Sequence, residues 1–147
     1  MENYLSKSVQ NALGYSREEA ERLGNSYIGP EHLLLGLLRD NDSKAITLLK
    51  ELKVDILKLK EAIEDEIRTD SKVNQSDIPL LKTTERILKL IYLEVRSLQD
   101  TEADTEHLLL AILRTDNNVA TDHLKTFNVD YVSARDTLVE MRRKENQ

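Results

Sequence analysis

The pentapeptide EHLLL occurs at residues 31–35 and again at residues 106–110, 75 positions further along the chain. With this offset, residues 8–68 align with residues 83–143 without a gap, and identical residues are spread over the whole alignment. A long internal repeat predicts that one supersecondary unit has been duplicated. Because there are only two copies, we expect them to fold together into one pseudo-symmetric body.

Helix starts are predicted from capping residues and from a proline, which suits a first helical position because it lacks an N–H. In chain order the starts are Ser6, Pro30, Asp42 or Ser43, Asp55, Thr83 or Thr84, Asp104, Asn117 or Asn118, and Asp130. Between them, apolar residues recur at three- and four-residue steps, which is the spacing of one helix face. On the last helix this spacing predicts that the side chains of Val132, Leu138 and Met141 face the core.

The predicted fold class is therefore all-α, with about eight helices in two tandem four-helix repeats packed as one pseudo-two-fold domain. We expect the first repeat at residues 4–69, a polar linker at 70–79 and the second repeat at 80–144, within one domain of residues 1–147. The helix that carries each pentapeptide is apolar on most of its circumference, as expected of a central helix. Packing the two repeats face to face would bury both of these helices.

Composition excludes several classes of function. The chain has 147 residues, of which 39% are hydrophobic and 33% charged, as in a folded globular protein. The net charge is −6 and the basic residues are scattered among acids, so there is no basic surface for nucleic acid. There is no cysteine for disulfide or thiolate chemistry, no apolar run long enough for a membrane span, and no signal peptide pattern at residues 1–4. These features predict a cytoplasmic location.

An enzymatic function finds little support in the motifs. The sequence contains no nucleotide-binding loop, no serine nucleophile elbow and no HExxH metal motif. Its three histidines, His32, His107 and His123, are dispersed, so we predict no metal site and expect His32 and His107 to form local hydrogen bonds at the third helical position. The enzymatic alternative is a small hydrolase that uses each Glu-His pair for acid-base chemistry, although neighbouring helical residues point about 100° apart. A homo-oligomerisation domain is a weaker alternative, and we expect a monomer.

Segments around the two pentapeptides resemble the amino-terminal Clp repeat domain of the Clp/Hsp100 AAA+ unfoldases. The first copy reads RLG at 22–24, YIGPEHLLLGLL at 27–38 and LKVD at 52–55; the second reads ADTEHLLLAIL at 103–113 and FNVD at 127–130. The resemblance is greatest to the ClpC branch, with the disaggregase ClpB second. The intact proteins of this family carry two ATPase modules, which are absent here, so the chain is expected to be the amino-terminal fragment.

The resemblance implies a binding domain with no catalytic residue and no cofactor of its own, since ATP and Mg belong to the ATPase modules. Such domains recruit protein substrates and adaptor proteins to the parent ATPase ring, which works with a partner peptidase. The ClpB alternative implies binding of unfolded segments by a disaggregase. In ClpC-like members the Glu of each motif helps to bind phosphoarginine, and the matching positions here are Glu31 and Glu106.

The expected phosphoarginine site comprises Glu31, the hydroxyl of Ser6 and the helix-start backbone from Pro30 to His32. A carboxylate can accept two N–H bonds from a guanidinium group, and a helix start favours phosphate. The second site is expected to be degraded, because Leu81 aligns with Ser6 and Asp104 aligns with Gly29.

Tyr27 and Ile28, beside the first motif, are candidates for an adaptor or substrate surface. They could equally pin the loop to the core, and the sequence leaves both interpretations open.

Overall fold

Eight α-helices follow one another along residues 5–147, the part of the chain that the computed structural model describes. They are α1 (Lys7–Arg22), α2 (Pro30–Leu37), α3 (Lys44–Glu51), α4 (Ile56–Ile67), α5 (Lys82–Ser97), α6 (Thr105–Arg114), α7 (Val119–Thr126) and α8 (Tyr131–Glu145). A short 3-10 turn, Gln75–Asp77, precedes α5. Within this range no strand is formed, and the all-α prediction is confirmed. Two predictions concern residues outside this range: the start of the first repeat at residue 4, and the lack of a signal peptide pattern at residues 1–4.

Local capping bonds explain where most helices begin. The side chains of Ser6, Ser43, Asp55, Asn118 and Asp130 each accept a hydrogen bond from a backbone N–H three residues later. A cap of this kind contributes about 1 kcal/mol to stability.

The start of α5 was predicted wrongly. It begins at Lys82 after Leu81, which provides no side-chain cap. Thr84 does not serve as the cap because its hydroxyl donates instead to the carbonyl oxygen of Ile28 at 2.7 Å.

The contacts between the two halves are reciprocal. Helix α1 packs on α6 while α5 packs on α2, α3 packs on α6 while α7 packs on α2, and α4 packs on α7 while α8 packs on α3. Helices α2 and α6 also contact each other. A relation in which element i contacts element j and j contacts i in return is what a two-fold arrangement produces. The predicted pseudo-two-fold arrangement is thus confirmed by the packing.

The leucines of the pentapeptides form the centre of the core. Residues 33–35 and 108–110 are at most 1% exposed and belong to one hydrophobic cluster that draws on both halves. On α8, Leu138 and Ala134 are buried four positions apart, but Val132 is 65% exposed. The inward prediction for Val132 is wrong, since a two-residue step from Ala134 turns the side chain about 200° around the helix.

The segment predicted as a linker, residues 70–79, packs against the first repeat, and Thr69 directly before it is bonded to that repeat. The N–H of Thr69 donates to the Leu23 carbonyl at 2.9 Å, and its hydroxyl donates to that of Gly24 at 2.6 Å. Further along, Ile78 is only 4% exposed and packs with Ala20 and Ile28 in a small separate cluster. The polar composition of this segment concealed its buried residue.

A buried carboxylate joins three helices of the second half. Glu94 on α5 is fully buried and accepts hydrogen bonds from Arg114 on α6 and from the Tyr131 hydroxyl on α8, the latter at 2.7 Å. The Arg114 guanidinium also lies 4.5 Å from the centre of the Tyr131 ring. The aligned residues of the first half, Glu19 and Arg39, approach within 3.4 Å. Both halves therefore use the same ion pair to fix the motif helix to the helix before it.

Candidate functional site

The histidine of the first motif closes a capping box. The N–H of Gly29 donates to Nδ1 of His32 at 2.9 Å, so this nitrogen carries no proton. Nε2 therefore carries the proton and donates to Oδ1 of Asn25 at 2.7 Å. Burial lowers the pKa of His32 to about 4, which keeps the ring neutral at physiological pH. The local role predicted for this histidine is confirmed.

Glu31 is held beneath a tyrosine. The residue is 3% exposed, and the Tyr27 hydroxyl donates to its Oε2 at 3.1 Å. Burial raises the pKa of the Glu31 carboxyl, and burial together with the neighbouring Glu31 raises the pKa of Tyr27 to about 12. A Cβ atom at Gly29 would lie 2.6 Å from Oε1 of Glu31, so the carboxylate in its present position depends on glycine and would have to shift for a larger residue.

The helix-start backbone of this motif offers little to a phosphate. Pro30 is buried at the first helical position and has no N–H, while the N–H of His32 donates to the Gly29 carbonyl at 3.0 Å. Glu31 directs its own backbone N–H towards its carboxylate. These contacts leave few N–H groups for the phosphate that the backbone from Pro30 to His32 was expected to bind.

The second motif repeats the histidine arrangement with a charged partner. The N–H of Asp104 donates to Nδ1 of His107 at 2.9 Å, and Nε2 of His107 lies 2.6 Å from Oδ2 of Asp100. Burial alone would raise the pKa of Asp100, but hydrogen bonds from Arg142 and His107 outweigh it and the pKa is lowered.

Glu106 is paired with an arginine that the sequence analysis did not consider. Nη2 of Arg142, on α8, lies 3.0 Å from Oε2 of Glu106 and 2.9 Å from Oδ2 of Asp100. The other oxygen of Glu106, Oε1, is buried and has no hydrogen-bond partner. The aligned position in the first half is Ile67. The alignment shows this change of residue type, but only the packing of α8 shows that it falls beside the motif.

Ser6 belongs to the second motif and not to the first. Its hydroxyl donates to Oδ1 of Asp104 at 3.0 Å, and its N–H donates to the carbonyl of Ala103 at 2.8 Å. In the reciprocal contact, the N–H of Leu81 donates to the carbonyl of Ile28 at 3.1 Å. The start of each repeat thus crosses to the motif of the other, so the prediction that Ser6 supports Glu31 is wrong.

The two surface candidates beside the first motif have different environments. Ile28 is 1% exposed and packs in the small cluster with Ile78, so its assignment to an adaptor surface is wrong and the pinning role is correct. Tyr27 is half-buried, with its hydroxyl on Glu31 and its ring packed edge-on against His32, the two ring centres 5.2 Å apart. Tyr27 therefore covers the carboxylate that it was predicted to flank.

The acid-base alternative fails on these contacts. In both His32 and His107, Nδ1 accepts the backbone N–H of the capping box and Nε2 is hydrogen-bonded to a side chain, Asn25 or Asp100.

Among residues 5–147, no group of three or more His, Cys, Asp or Glu side chains is placed to hold a metal ion. Over the same residues, none of the helices combines the length and the apolar character that crossing a membrane requires.

An apolar groove of about 390 Å³ opens between α1 and α5, away from the motifs' histidines. Its apolar wall consists of Leu5, Leu13, Leu88, Ile91 and Tyr92. Glu85 and Lys89 line the same groove. Leu13 and Leu88 are aligned residues of the two repeats, so the groove receives one equivalent leucine from each half. The three- and four-residue spacing of apolar residues does not show that these two helix faces leave a gap between them.

Comparison with known families decides the identity of this fold. The pattern of the Clp repeat (R) N-terminal domain matches residues 4–127. This chain belongs to the Clp N-terminal domain family. The Clp domain is 32% identical over 93% of its length to the chaperone protein ClpB of Oceanobacillus iheyensis, and 30% identical over 93% to the negative regulator of genetic competence ClpC/MecB of Bacillus subtilis. It spans 17% of the length of each of these relatives.

Solved structures share the fold of this Clp domain. The Hsp104 N-terminal domain of Candida albicans matches with a TM-score of 0.75 and 16% identity, over 94% of this chain and 91% of that one. A ClpV N-domain in complex with a VipB peptide matches with a TM-score of 0.68 and 18% identity, over 84% of this chain and 79% of that one. At these identities the matches establish the fold alone.

Proposed function

We propose that this domain recruits substrate proteins and adaptors to the ATPase ring of a Clp unfoldase by binding polypeptide segments in the groove between α1 and α5. The observation that carries the proposal is the groove itself, which is open and is lined mainly by apolar residues of both halves. Ligands usually bind to proteins at concave sites that are mostly apolar and carry a few polar groups.

Family membership supports a binding role in place of catalysis. The chaperone and regulator relatives are several times longer than this chain, and we assign the ATPase ring to the proposed parent protein and the peptidase to its partner. The related ClpV N-domain is seen with a peptide, which makes a peptide the natural ligand class here. Relatives of the ClpC and ClpB types match at similar identity, so the alternative function, in a ClpB-type disaggregase, is retained. In that alternative we propose that the same groove binds unfolded segments.

A charge placed in the groove wall tests this proposal. We expect Leu88→Glu to weaken the binding of a fluorescein-labelled unfolded polypeptide, measured by anisotropy, by about tenfold or more, since a buried leucine contributes about 1.5–3 kcal/mol. The matched control is Leu93→Glu, on the same helix, 42% exposed and outside the groove. Equal affinity of the two variants, both folded by circular dichroism, would contradict the proposal.

Phosphoarginine recognition is a finer proposal, and we place it at Glu31. What supports it is the match to the ClpC-like motif and a buried carboxylate that can pair with a guanidinium. A ligand there has to displace the Tyr27 hydroxyl, whereas at Glu106 the internal Arg142 already occupies one carboxylate oxygen. Calorimetric titration with free phosphoarginine, with Glu31→Ala as the comparison, tests the assignment. Absence of heat at millimolar ligand would refute it.

The cytoplasmic location stays a prediction. Relatives of this domain include chloroplast proteins of Arabidopsis thaliana and Pisum sativum as well as bacterial ones. The lack of cysteine is compatible with any reducing compartment.

A further inference from the structure

Two adjoining cavities of about 180 Å³ each form a cleft beside the second motif. Lys44, Glu106 and Arg142 line both of them. One cavity continues along the motif loop, past Asp100, Thr101, Glu102, Asp104 and His107. The other runs between α3 and α8, past Thr47, Leu138, Met141 and Glu145. Glu106 therefore lies at the junction of a polar end and a partly apolar end.

The cleft contains an unsatisfied acceptor. Glu106 is 1% exposed, its Oε2 accepts from Arg142, and its Oε1 has no hydrogen-bond partner. Buried polar atoms in native proteins are almost always paired, and the penalty is larger for a charged group. A carboxylate oxygen accepts hydrogen bonds only, so the missing partner is a donor.

The charges that line the cleft select a cationic donor. Five carboxylates, those of Asp100, Glu102, Asp104, Glu106 and Glu145, face two cations, Lys44 and Arg142, so carboxylates outnumber Lys and Arg side chains by three. Such a site attracts a cation and repels a phosphate or carboxylate. The second motif thus has the opposite charge preference from a phosphate-binding site.

The apolar end suits the stem of a basic side chain. Leu138 and Met141 lie on α8 along the cavity that starts at Glu106. Arginine and lysine place an aliphatic stem on apolar surface and direct their N–H groups towards an acceptor. The first motif does not have the same arrangement, since Tyr27 covers Glu31 and Ile67 stands in the position of Arg142.

We propose that the cleft beside Glu106 binds an unmodified basic side chain, arginine or lysine, of the recruited polypeptide, with Glu106 Oε1 as the acceptor. The proposal rests on the recruitment function and names the residue class that the second motif recognises. Lys44 limits the affinity: its side chain is 69% exposed and its ammonium lies 3.6 Å from Asp104, where it repels an incoming cation.

The binding test uses a pair of small probes that differ in charge. Nα-acetyl-arginine amide is titrated into the domain, and the shifts of backbone amide resonances are followed by NMR. We expect saturable shifts at residues 100–107 and 138–145. The isosteric but neutral Nα-acetyl-citrulline amide should cause none. Equal shifts with citrulline, or no saturable shift with arginine, would overturn the proposal.

Three variants assign the binding to the cleft. Lys44→Glu, an exposed change that replaces a positive with a negative charge, should tighten arginine binding about threefold at low salt. Glu106→Gln should weaken it about tenfold, and Glu61→Gln, at an exposed carboxylate on α4 outside the cleft, should leave it unchanged. If Glu106→Gln fails to fold, Lys44→Glu decides alone, and unchanged affinity in that variant counts against the proposal. The groove variant Leu88→Glu separates the two claims, because it should weaken polypeptide binding without changing the arginine titration.

Discussion

The neutral state of His32 makes the stability of this domain depend on pH in a defined window. The ring is fully buried, and its Nδ1 accepts the N–H of Gly29 while its Nε2 donates to Asn25. Protonation places a second N–H on Nδ1, where it faces the donor of Gly29 and destroys the capping box. The folded state therefore resists protonation, and the pKa of His32 falls from 6.5 to about 4.

The sign follows from which state binds the proton. Between pH 4 and 6.5 the unfolded chain carries a proton on His32 and the folded chain does not, so acid favours unfolding. Above pH 6.5 the ring is neutral in both states and its contribution is complete; as the pH falls to 4, about 3 kcal/mol is lost, at about 1.4 kcal/mol for each unit of pKa. The raised pKa of Glu31 acts in the opposite direction, because its folded state binds the proton more readily.

Urea unfolding at a series of pH values measures this effect against the variant His32→Gln. Glutamine at the third helical position can still accept from the capping N–H but does not titrate in this range. The free energy of unfolding of the wild type minus that of the variant should rise by about 3 kcal/mol from pH 4 to 6.5, and contributions shared by both proteins, such as that of Glu31, cancel. Nitrogen NMR should show a protonated Nε2 and a bare Nδ1 down to pH 5. A difference that stays constant over this window would refute the reasoning.

Two further pairs of variants test the packing. Gly36→Ala should lower the free energy of unfolding by about 1–3 kcal/mol, because its Cβ would overlap the carbonyl oxygen of Ala12. In the matched variant Gly14→Ala the new Cβ meets nothing within 4 Å, so it should stabilise α1 by about 0.5–1 kcal/mol. Thermal melts that rank the two variants in the other order would contradict the close approach of α1 and α2. Glu94→Ala should lower the free energy of unfolding by about 1–3 kcal/mol, because Arg114 and Tyr131 lose a fully buried acceptor. Glu140→Ala, which removes an exposed ion pair with Arg143, should cause no measurable change. Equal urea midpoints for the two variants would show that the buried carboxylate contributes nothing to stability.

The candidate sites were less predictable than the helices. The motif alignment located Glu31 and Glu106, but it treated them as equivalent. One is covered by Tyr27 four residues before it, and the other is paired with Arg142 from the last helix. Nothing in the spacing of the motif encodes which distant side chain arrives there, because that depends on how whole helices cross.

The sequence by itself determined where most helices begin, since a cap such as Ser43 or Asp55 bonds to a backbone only three residues away. It also determined the duplication, because equal apolar patterns at a fixed offset predict equal folds. The tertiary structure decided which half completes which motif. Ser6 reaches Asp104 across the pseudo-two-fold relation, a contact between residues 98 positions apart. Contacts of that range are selected by the burial of the two leucine-rich helices against each other, and local periodicity carries no information about them.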